Sequence, residues 1–247
     1  MQDFTLIKYC ELLTALKASN VTYRIMHDID SHPIRAMEIA KMEYEFSLCT
    51  TYYFRSKHIA NSQEIIKNIY KLQHSIGYHY ESLTTCKGDM AAAYNDFCFN
   101  LKRMRHLAPV STACAHGSPQ SPWDSQDIWS QYDIHSLGID YEPLLDTDFS
   151  KTLYLTDTGR RWDGYKVSVR DKVPQYQEQW IKEGLVFHST DDIIRAIKNP
   201  SHAIHHHSLL INTHPQRWMP FGTNWMIEAA AQNIKNIAKR IIVCTKY

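Results

Sequence analysis

The chain has 247 residues, of which 44% are hydrophobic and 21% are charged, a balance typical of a globular protein with a sizeable core. Its 27 Lys and Arg residues nearly cancel its 26 Asp and Glu residues, so no basic field is available to recruit nucleic acid. No apolar run approaches the roughly 18 residues of a membrane span, and the first residues do not resemble a signal peptide, which together predict a soluble cytoplasmic protein.

Two residue types stand out in the composition. The chain contains 14 His residues, which direct attention to metal or proton chemistry. Its six Cys residues form no C-x-x-C pair and no regular framework. We therefore expect reduced, mostly buried thiols rather than disulfides.

The hydrophobic pattern alternates between helical and strand periods along the chain. Predicted helices span residues 3–18, 34–46, 61–73, 88–107, 190–198 (capped by Thr190 or Asp191) and 225–242. Predicted strands span residues 23–26, 50–54, 75–80, 110–115, 139–145, 152–156 and 208–212, with irregular stretches at 120–137 and 158–173. This alternation predicts an α/β fold with a mainly parallel sheet, in a single domain that covers residues 1–247.

Five predicted strands end in residues that can carry chemistry. Right-handed crossovers bring the carboxyl ends of parallel strands to one edge, where the sites of α/β proteins lie. Two of these residues, Asp28 and Asp30, are two apart on a strand and face the same side, so they repel each other unless a cation or a proton relieves the pair. The strand-end groups are Asp28 with Asp30, His79 with Glu81, His116, Asp157 and His214.

Each of these residues also has a purely structural interpretation. The two aspartates can cap the helix near Pro33, and an isolated strand histidine is commonly a core imidazole bonded to backbone. The arginines 160, 161 and 217 can form surface ion pairs of little energy, and the tryptophans 123, 162 and 218 can belong to the core. The run 205–207 contains three consecutive histidines, whose side chains point in different directions, so a solvated loop is expected there rather than one metal site.

Several segments, taken in order, resemble the polysaccharide deacetylase (NodB-homology) family, carbohydrate esterase family four. They are residues 23–30, 36–40, 51–55, 75–81, 115–119, 156–162 and 211–218, and their form is that of a WbmS-like branch linked to surface-polysaccharide gene clusters. The resemblance covers nearly the whole chain. It implies a distorted (β/α) barrel and the metal-dependent removal of N- or O-acyl groups from sugars.

The resemblance also implies a metal centre. Asp28 corresponds to the general base and Asp30 to a metal ligand, although one residue between them leaves these roles exchangeable. His79 corresponds to a metal ligand, while Leu83 stands where the family has its second ligand histidine, and His116 is the expected substitute. One carboxylate and two imidazoles suit zinc, and cobalt, nickel, manganese and iron accept the same donors.

The remaining site residues concern proton transfer and substrate. His214 corresponds to the family's general acid, and Asp157 is expected to hydrogen-bond it and hold its tautomer. The family's arginine that orients the catalytic aspartate is not evident, and either Arg160 or Arg161 is expected to replace it. The predicted substrate contacts are Glu81, Arg160, Arg161, Trp162 and Trp218, the last two because aromatic faces suit sugar rings.

The function expected from this resemblance is removal of an N-acetyl or N-formyl group from a sugar during surface-polysaccharide assembly. A cytoplasmic location favours a nucleotide-linked or lipid-linked sugar as the partner. The loss of the histidine at Leu83 favours an alternative, an inactive barrel that binds glycan or assembly partners. Hydrolysis of a non-sugar amide is a third interpretation, because related barrels host several kinds of C–N bond cleavage.

Overall fold

The computed structural model describes residues 3–162, 168 and 170–246, and side chains as far as residue 237. The strands are β1 (Tyr23–Ile29), β2 (Thr51–Arg55), β3 (Ser75–Tyr80), β4 (Ala113–Ala115), β5 (Thr152–Thr156) and β6 (Ser208–Thr213). The α-helices are α1 (Leu6–Ala18), α2 (Pro33–Glu45), α3 (Gln63–Lys71), α4 (Ser82–Thr85), α5 (Met90–Arg105), α6 (Pro143–Asp146), α7 (Pro174–Lys182), α8 (Thr190–Lys198) and α9 (Thr223–Lys246). Strands and helices alternate, which confirms the predicted α/β class.

The chain forms two compact units, one of residues His27–Thr147 and the other of Met1–Met26 with Asp148–Tyr247. The boundary between the units falls inside β1, after Met26, so each unit contains part of this strand. The strand order is β4-β3-β2-β1 in the first unit and β1-β6-β5 in the second. That residues 1–247 act as one catalytic domain stays a prediction.

Parallel pairing sets the residues of the first unit side by side at the carboxyl ends of its strands. Strand β2 pairs with β3 so that Arg55 lies opposite His79, and β3 pairs with β4 so that His79 lies opposite Cys114. In the second unit β5 pairs with β6, also in parallel, with Thr156 opposite Asn212. The predicted mainly parallel pairing is confirmed for these three strand pairs.

Strand β1 is buried on both faces, and its residue His27 is hydrogen-bonded to Glu43 of α2. Nε2 of His27 lies 3.0 Å from Oε1 of Glu43, while Oε2 of Glu43 accepts hydrogen bonds from the hydroxyls of Thr50 at 2.7 Å and Tyr52 at 2.5 Å. All four residues are buried, so these bonds satisfy polar groups that would otherwise be costly to desolvate. Because side chains alternate along a strand, this attachment of His27 turns Asp28 to the opposite face.

The predicted strand at 139–145 is wrong. Only Tyr141 forms a bridge there, to Thr112, and the short helix α6 begins at Pro143. The carboxylate of Glu142 caps this helix by accepting hydrogen bonds from the backbone N–H groups of Leu144 at 2.7 Å and Leu145 at 2.9 Å. Proline fits the first turn of a helix because it has no N–H to leave unsatisfied, and this local chemistry overrides the apolar pattern.

Two smaller differences concern element ends. The cap of α8 is Ser189 rather than Thr190 or Asp191, since the Ser189 side chain accepts from the N–H of Asp192 and Asp192 bonds back to Ser189 in a capping box. The predicted strand at 110–115 shortens to Ala113–Ala115.

Among the cysteines with described side chains, the thiols are free of disulfides, but the expectation that they are mostly buried is wrong: Cys114 is buried, Cys49 is exposed and the other three are intermediate. Cys244 lies outside the described side chains. Within the described part of the chain, no helix combines the length and the apolar content that crossing a membrane requires.

Candidate metal centre

Three side chains from the carboxyl ends of three strands converge in the unit His27–Thr147. Asp30 follows β1, His79 belongs to β3 and His116 follows β4, and their donor atoms all lie within 4.8 Å of one another. Oδ1 of Asp30 is 3.1 Å from Nδ1 of His116 and 3.5 Å from Nε2 of His79, and the two ring nitrogens are 3.2 Å apart. These are the three residues that the sequence predicts as metal ligands.

The spacing of these atoms fits a divalent ion. An ion with tetrahedral bonds of about 2.0–2.1 Å to nitrogen and oxygen separates its ligand atoms by about 3.3–3.4 Å. The observed separations of 3.1, 3.2 and 3.5 Å surround that value. One carboxylate and two imidazoles are also the donor types that zinc and its neighbours accept, and three protein ligands leave a coordination position open. The residues present therefore fit the metal that the sequence predicts.

The tautomer of His79 suits this arrangement. Its Nδ1 lies 3.0 Å from the backbone carbonyl oxygen of Cys114. A carbonyl can only accept, so Nδ1 carries the proton and, in the neutral ring, Nε2 presents a lone pair towards Asp30 and His116. Hydrogen bonds of this kind orient metal-binding imidazoles and strengthen them as donors.

The electrostatics of the centre favour a positive charge. Burial opposes protonation of His79, but the carboxylates of Asp28 and Asp30 outweigh it and raise the pKa of His79 to about 9. Burial lowers the pKa of His116, and the neighbouring His79 lowers it further. A proton or a metal ion can supply the charge that the two carboxylates attract.

Asp28 lies on the other side of the His79 ring. Its Oδ1 is 3.8 Å from Nδ1 of His79, and with Cys114 these residues form a second group whose donor atoms lie within 4.8 Å. The His79 nitrogen that lies 3.8 Å from Asp28 is Nδ1, and the proton of Nδ1 is donated to the Cys114 carbonyl, so this nitrogen has no lone pair for a metal. The geometry thus separates two aspartates whose roles the sequence leaves exchangeable, with Asp30 beside Nε2 of His79 and Asp28 beside Nδ1.

Leu83 is unable to serve as a ligand. It is buried in an apolar cluster with Ala93 and Ile128. The ligand histidine expected there from the resemblance is replaced by core packing, while His116 approaches the centre from the adjacent strand β4.

Sequence reasoning missed Arg55, which holds Glu81. Its Nε donates to Oε1 of Glu81 at 3.0 Å, and Nη2 also contacts the carboxylate, so the pair is bidentate. Burial opposes ionisation of Glu81, but Arg55 lowers the pKa of its carboxyl below the usual range. Arg55 is the last residue of β2, so the strand-end pattern that identified the other residues could have found it.

His58, also missed, steadies the loop after β1. Its Nε2 lies 3.0 Å from the backbone carbonyl oxygen of Asp30, to which it donates. Burial lowers the pKa of His58, so the ring is suited to a neutral donor role. This bond holds the backbone of a candidate ligand, and nothing in the sequence around residue 58 indicates it.

A second polar cluster lies in the other unit, around Asp157. Oδ1 of Asp157 is 2.6 Å from Nδ1 of His214, the hydrogen bond that the sequence predicts. Oδ2 accepts from the backbone N–H of His214 at 2.9 Å. Both side chains are buried, and the bond at Nδ1 fixes the orientation of the His214 ring.

Arg217 and Trp218 complete this cluster. The guanidinium of Arg217 contacts Oδ1 of Asp157, and Nε1 of Trp218 donates to Oδ2 at 2.8 Å. Burial opposes ionisation of Asp157, but Arg217 and His214 outweigh it and lower the pKa of its carboxyl to about 2. The alternative interpretation of Arg217 as a member of a surface ion pair does not hold, because its partner is a buried carboxylate.

The predicted sugar contacts of Trp162 and Trp218 are wrong. Both indoles are fully buried, and Phe4 stacks on Trp162 with ring centroids 5.8 Å apart and meets Trp218 at 5.2 Å. Nε1 of Trp162 donates to the hydroxyl of Thr190 at 3.1 Å. These aromatic rings form a core, and neither has a face exposed to a substrate.

The two arginines expected at the substrate or beside the catalytic aspartate have other partners. Arg160 pairs with Glu228, donates to the backbone carbonyl of Asp3 at 3.0 Å and lies over the Trp225 ring, 4.7 Å from its centroid. These contacts give Arg160 a structural role within its own unit. Arg161 lies 2.6 Å from Nδ1 of His188, and its substrate role stays a prediction.

Comparison with known proteins finds similarity at the level of structure. No family model and no curated protein matches the chain. A family 4 carbohydrate esterase from Streptomyces lividans in complex with acetate has 10% identity, 89% coverage of each chain and a TM-score of 0.46. PdaA of Bacillus subtilis, a family 4 carbohydrate esterase, has 10% identity over 91% of this chain and 83% of that one, with a TM-score of 0.43.

A third similar structure is a family 4 pseudoenzyme from Bacillus anthracis, with 9% identity over 88% of this chain and 61% of that one and a TM-score of 0.45. All three structures come from the family that the sequence motifs resemble, while membership of the WbmS-like branch stays a prediction. In fold, the chain resembles the polysaccharide deacetylases of carbohydrate esterase family four.

Proposed function

We propose that this protein is a metal-dependent hydrolase that removes an acyl group, N-acetyl or N-formyl, from a sugar. The observation that carries the proposal is the convergence of Asp30, His79 and His116, with donor atoms 3.1–3.5 Å apart and the His79 tautomer held by the Cys114 carbonyl. The donor set and its nearly tetrahedral spacing support zinc as the ion.

The proposed chemistry divides between the ion and Asp28. A divalent ion at Asp30, His79 and His116 would act as a Lewis acid on the acyl carbonyl. Asp28 is mostly buried and has no ligand role in this set, so its carboxylate is the nearby group that can accept the proton of the attacking water. His79 then lies between the two aspartates, with Nε2 on the ligand side and Nδ1, which donates to the Cys114 carbonyl, 3.8 Å from Asp28.

His214 is proposed as the general acid on the basis of the resemblance. Its hydrogen bond to Asp157 supports the assignment, because a fixed Nδ1 leaves Nε2 as the nitrogen that would give a proton to the departing amine. Asp157 is accordingly proposed as the residue that orients His214.

The proposed substrate is a nucleotide-linked or lipid-linked sugar of surface-polysaccharide biosynthesis, as the resemblance implies. Glu81 remains a proposed substrate contact, and its pairing with Arg55 at the ends of β3 and β2 supports a fixed carboxylate that could accept a sugar hydroxyl. Arg161 is the proposed contact among the arginines. A cytoplasmic location is part of the same proposal.

Two measurements on the purified protein test the proposed activity. Metal content is determined before and after chelator treatment, and acyl release is assayed on a panel of N-acetyl and N-formyl sugars and non-sugar amides. We expect about one divalent ion per chain and release from a sugar that chelation abolishes and zinc restores. His116→Ala should lose the ion, whereas His106→Ala and His206→Ala, which change histidines outside the centre, should retain it.

An inactive barrel that binds glycan is the second candidate, favoured by Leu83 at the position of the family's second ligand histidine. It predicts no acyl release from any substrate in the panel, with or without added metal. Release from non-sugar amides alone would instead support the third interpretation and contradict the assignment to sugars.

A further inference from the structure

Helix α9 packs against its own unit through polar side chains. Among its described residues, Gln232 and Asn236 are buried, and Nδ2 of Asn236 donates to the backbone carbonyl of Gly159 at 2.7 Å. Nε2 of Gln232 donates to Oδ1 of Asn236 at 2.8 Å, and Glu228 pairs with Arg160. Residues four apart share one face of a helix, so positions 228, 232 and 236 define a polar inner face.

The outer face of α9 is apolar and exposed. Its large side chains are 58% exposed at Met226, 64% at Ile227, 69% at Ile234 and 61% at Ile237. At 3.6 residues per turn, these positions fall on one arc with the exposed alanines between them. We define the outer face as Met226, Ile227, Ala230, Ala231, Ile234 and Ile237.

This distribution is the reverse of that in an ordinary surface helix, whose apolar stripe faces the protein body. Single exposed apolar residues are common and need no explanation, but a contiguous stripe marks a surface that binds something apolar. The polar contacts of the inner face hold α9 in this orientation.

The charge of α9 indicates what that surface meets. Its sequence contains four basic residues, Lys235, Lys239, Arg240 and Lys246, and one acidic residue, Glu228, which is already paired with Arg160. The formal excess of +3 in this helix exceeds the +1 of the whole chain. A second copy of the helix would bring the same positive charge, so charge favours an anionic surface over self-association.

We propose that the outer face of α9 binds the surface of an anionic lipid bilayer, with the helix lying in the plane of the interface. The isoleucines and Met226 enter the boundary between headgroups and acyl chains, and the net positive charge of the helix attracts it to anionic headgroups. This attachment is independent of the metal centre and does not rest on the proposed hydrolysis.

Co-sedimentation of the full chain with vesicles tests the proposal. One set contains phosphatidylcholine and phosphatidylglycerol in equal parts, and the other contains phosphatidylcholine alone. We expect the protein to sediment with the anionic vesicles, less with the neutral ones, and less with the anionic ones in high salt. The double variant Ile234→Asp/Ile237→Asp should lower partitioning by about tenfold or more, because it places charges in the apolar arc.

The matched control is Ile7→Asp/Ile34→Asp, which adds the same charge at isoleucines that are 70% and 65% exposed on other helices. It should sediment nearly as the unaltered protein does. Failure of the unaltered protein to sediment with anionic vesicles would overturn the proposal, as would equal losses in both double variants. A third outcome would also overturn it: a dimer forms in lipid-free solution, Ile234→Asp/Ile237→Asp abolishes the dimer, and vesicles bind neither protein. The outer face would then be a contact between copies.

Discussion

Nδ1 of His79 donates to the backbone carbonyl of Cys114 over 3.0 Å, and this bond determines which ring nitrogen faces Asp30 and His116. The acceptor belongs to the backbone of β4, the strand that pairs with β3 at His79. The parallel register therefore sets both the position and the tautomer of a candidate ligand. Because the two nitrogens have separate tasks, substitutions that keep one of them can distinguish those tasks.

His79→Asn should separate folding from metal binding. The amide nitrogen of asparagine lies about where Nδ1 stood and can still donate to the Cys114 carbonyl, but nothing replaces Nε2. We expect His79→Asn and His79→Ala to lose the ion equally, while in chelator the Tm of His79→Asn lies closer to that of the unaltered protein. Metal content after dialysis and thermal unfolding check this. Retention of the ion by His79→Asn would show that Nε2 is not the ligand atom.

The two aspartates should respond differently to the same isosteric change. Asp28→Asn should keep the ion and lower turnover by about a hundredfold to ten-thousandfold, the usual contribution of a general base. Asp30→Asn should lose the ion, because a neutral amide oxygen is a weaker ligand than a carboxylate. Metal content and acyl release are measured on the same preparations.

The opposite pattern, with loss of the ion in Asp28→Asn and retention in Asp30→Asn, would exchange the two assignments. Normal turnover in Asp28→Asn would refute its role as base.

The residues of the metal centre were accessible from sequence because local rules place them. The two-residue period of a strand puts Asp28 and Asp30 near one side, and parallel strand ends bring His79 and His116 together. The sequence could not show that the two aspartates lie beside different nitrogens of His79. That arrangement depends on the carbonyl of Cys114 and hence on the register between β3 and β4.

Other features depend on contacts between residues far apart in the chain. The burial of Trp162 and Trp218 comes from Phe4, more than 150 residues earlier, which no local pattern announces. An apolar stretch around residue 141 suggested a strand, yet a cap by Glu142 and a proline at the next position made a helix. The sequence pattern of α9 likewise predicts a helix without showing that its polar face is the one that packs.

The Arg55–Glu81 pair should contribute measurably to stability. Both side chains are mostly buried, so Arg55→Ala leaves a carboxylate short of its partner, and we expect the free energy of unfolding to fall by about 1–3 kcal/mol. A double-mutant cycle with Glu81→Ala isolates the interaction. The exposed pair of Lys67 and Glu64, 3.6 Å apart, is the matched control and should show coupling near zero. Equal coupling in the two cycles would contradict the importance of burial.

Asp157 should make the protein acid-sensitive in a defined window. Its folded pKa of about 2 lies below the value of about 3.9 for an unfolded aspartate, so its contribution is fully present above pH 4. That contribution is lost as the pH falls from about 4 towards 2, where the carboxylate takes up a proton. The stability difference between the unaltered protein and Asp157→Asn should therefore shrink over this window in urea unfolding. The exposed control Asp140→Asn should follow the unaltered protein, and a constant difference for Asp157→Asn would contradict the assignment.

Glu142 should have the opposite sign of pH dependence. Burial raises the pKa of its carboxyl to about 7, although backbone N–H groups of Ala115, Leu144 and Leu145 oppose the shift. An acid whose folded pKa exceeds its unfolded value of about 4.3 loses stability as the pH rises from about 4 to 7, and no further above that. The stability of Glu142→Gln should not show this dependence on pH. Its amide N–H₂ is turned towards N–H donors, so at pH 4 the variant should be less stable than the unaltered protein. The difference in the free energy of unfolding between the two proteins, measured in urea, should therefore narrow as the pH rises to 7, because only the unaltered protein must ionise a buried group. A difference that widens over this range would place the folded pKa of Glu142 below its unfolded value.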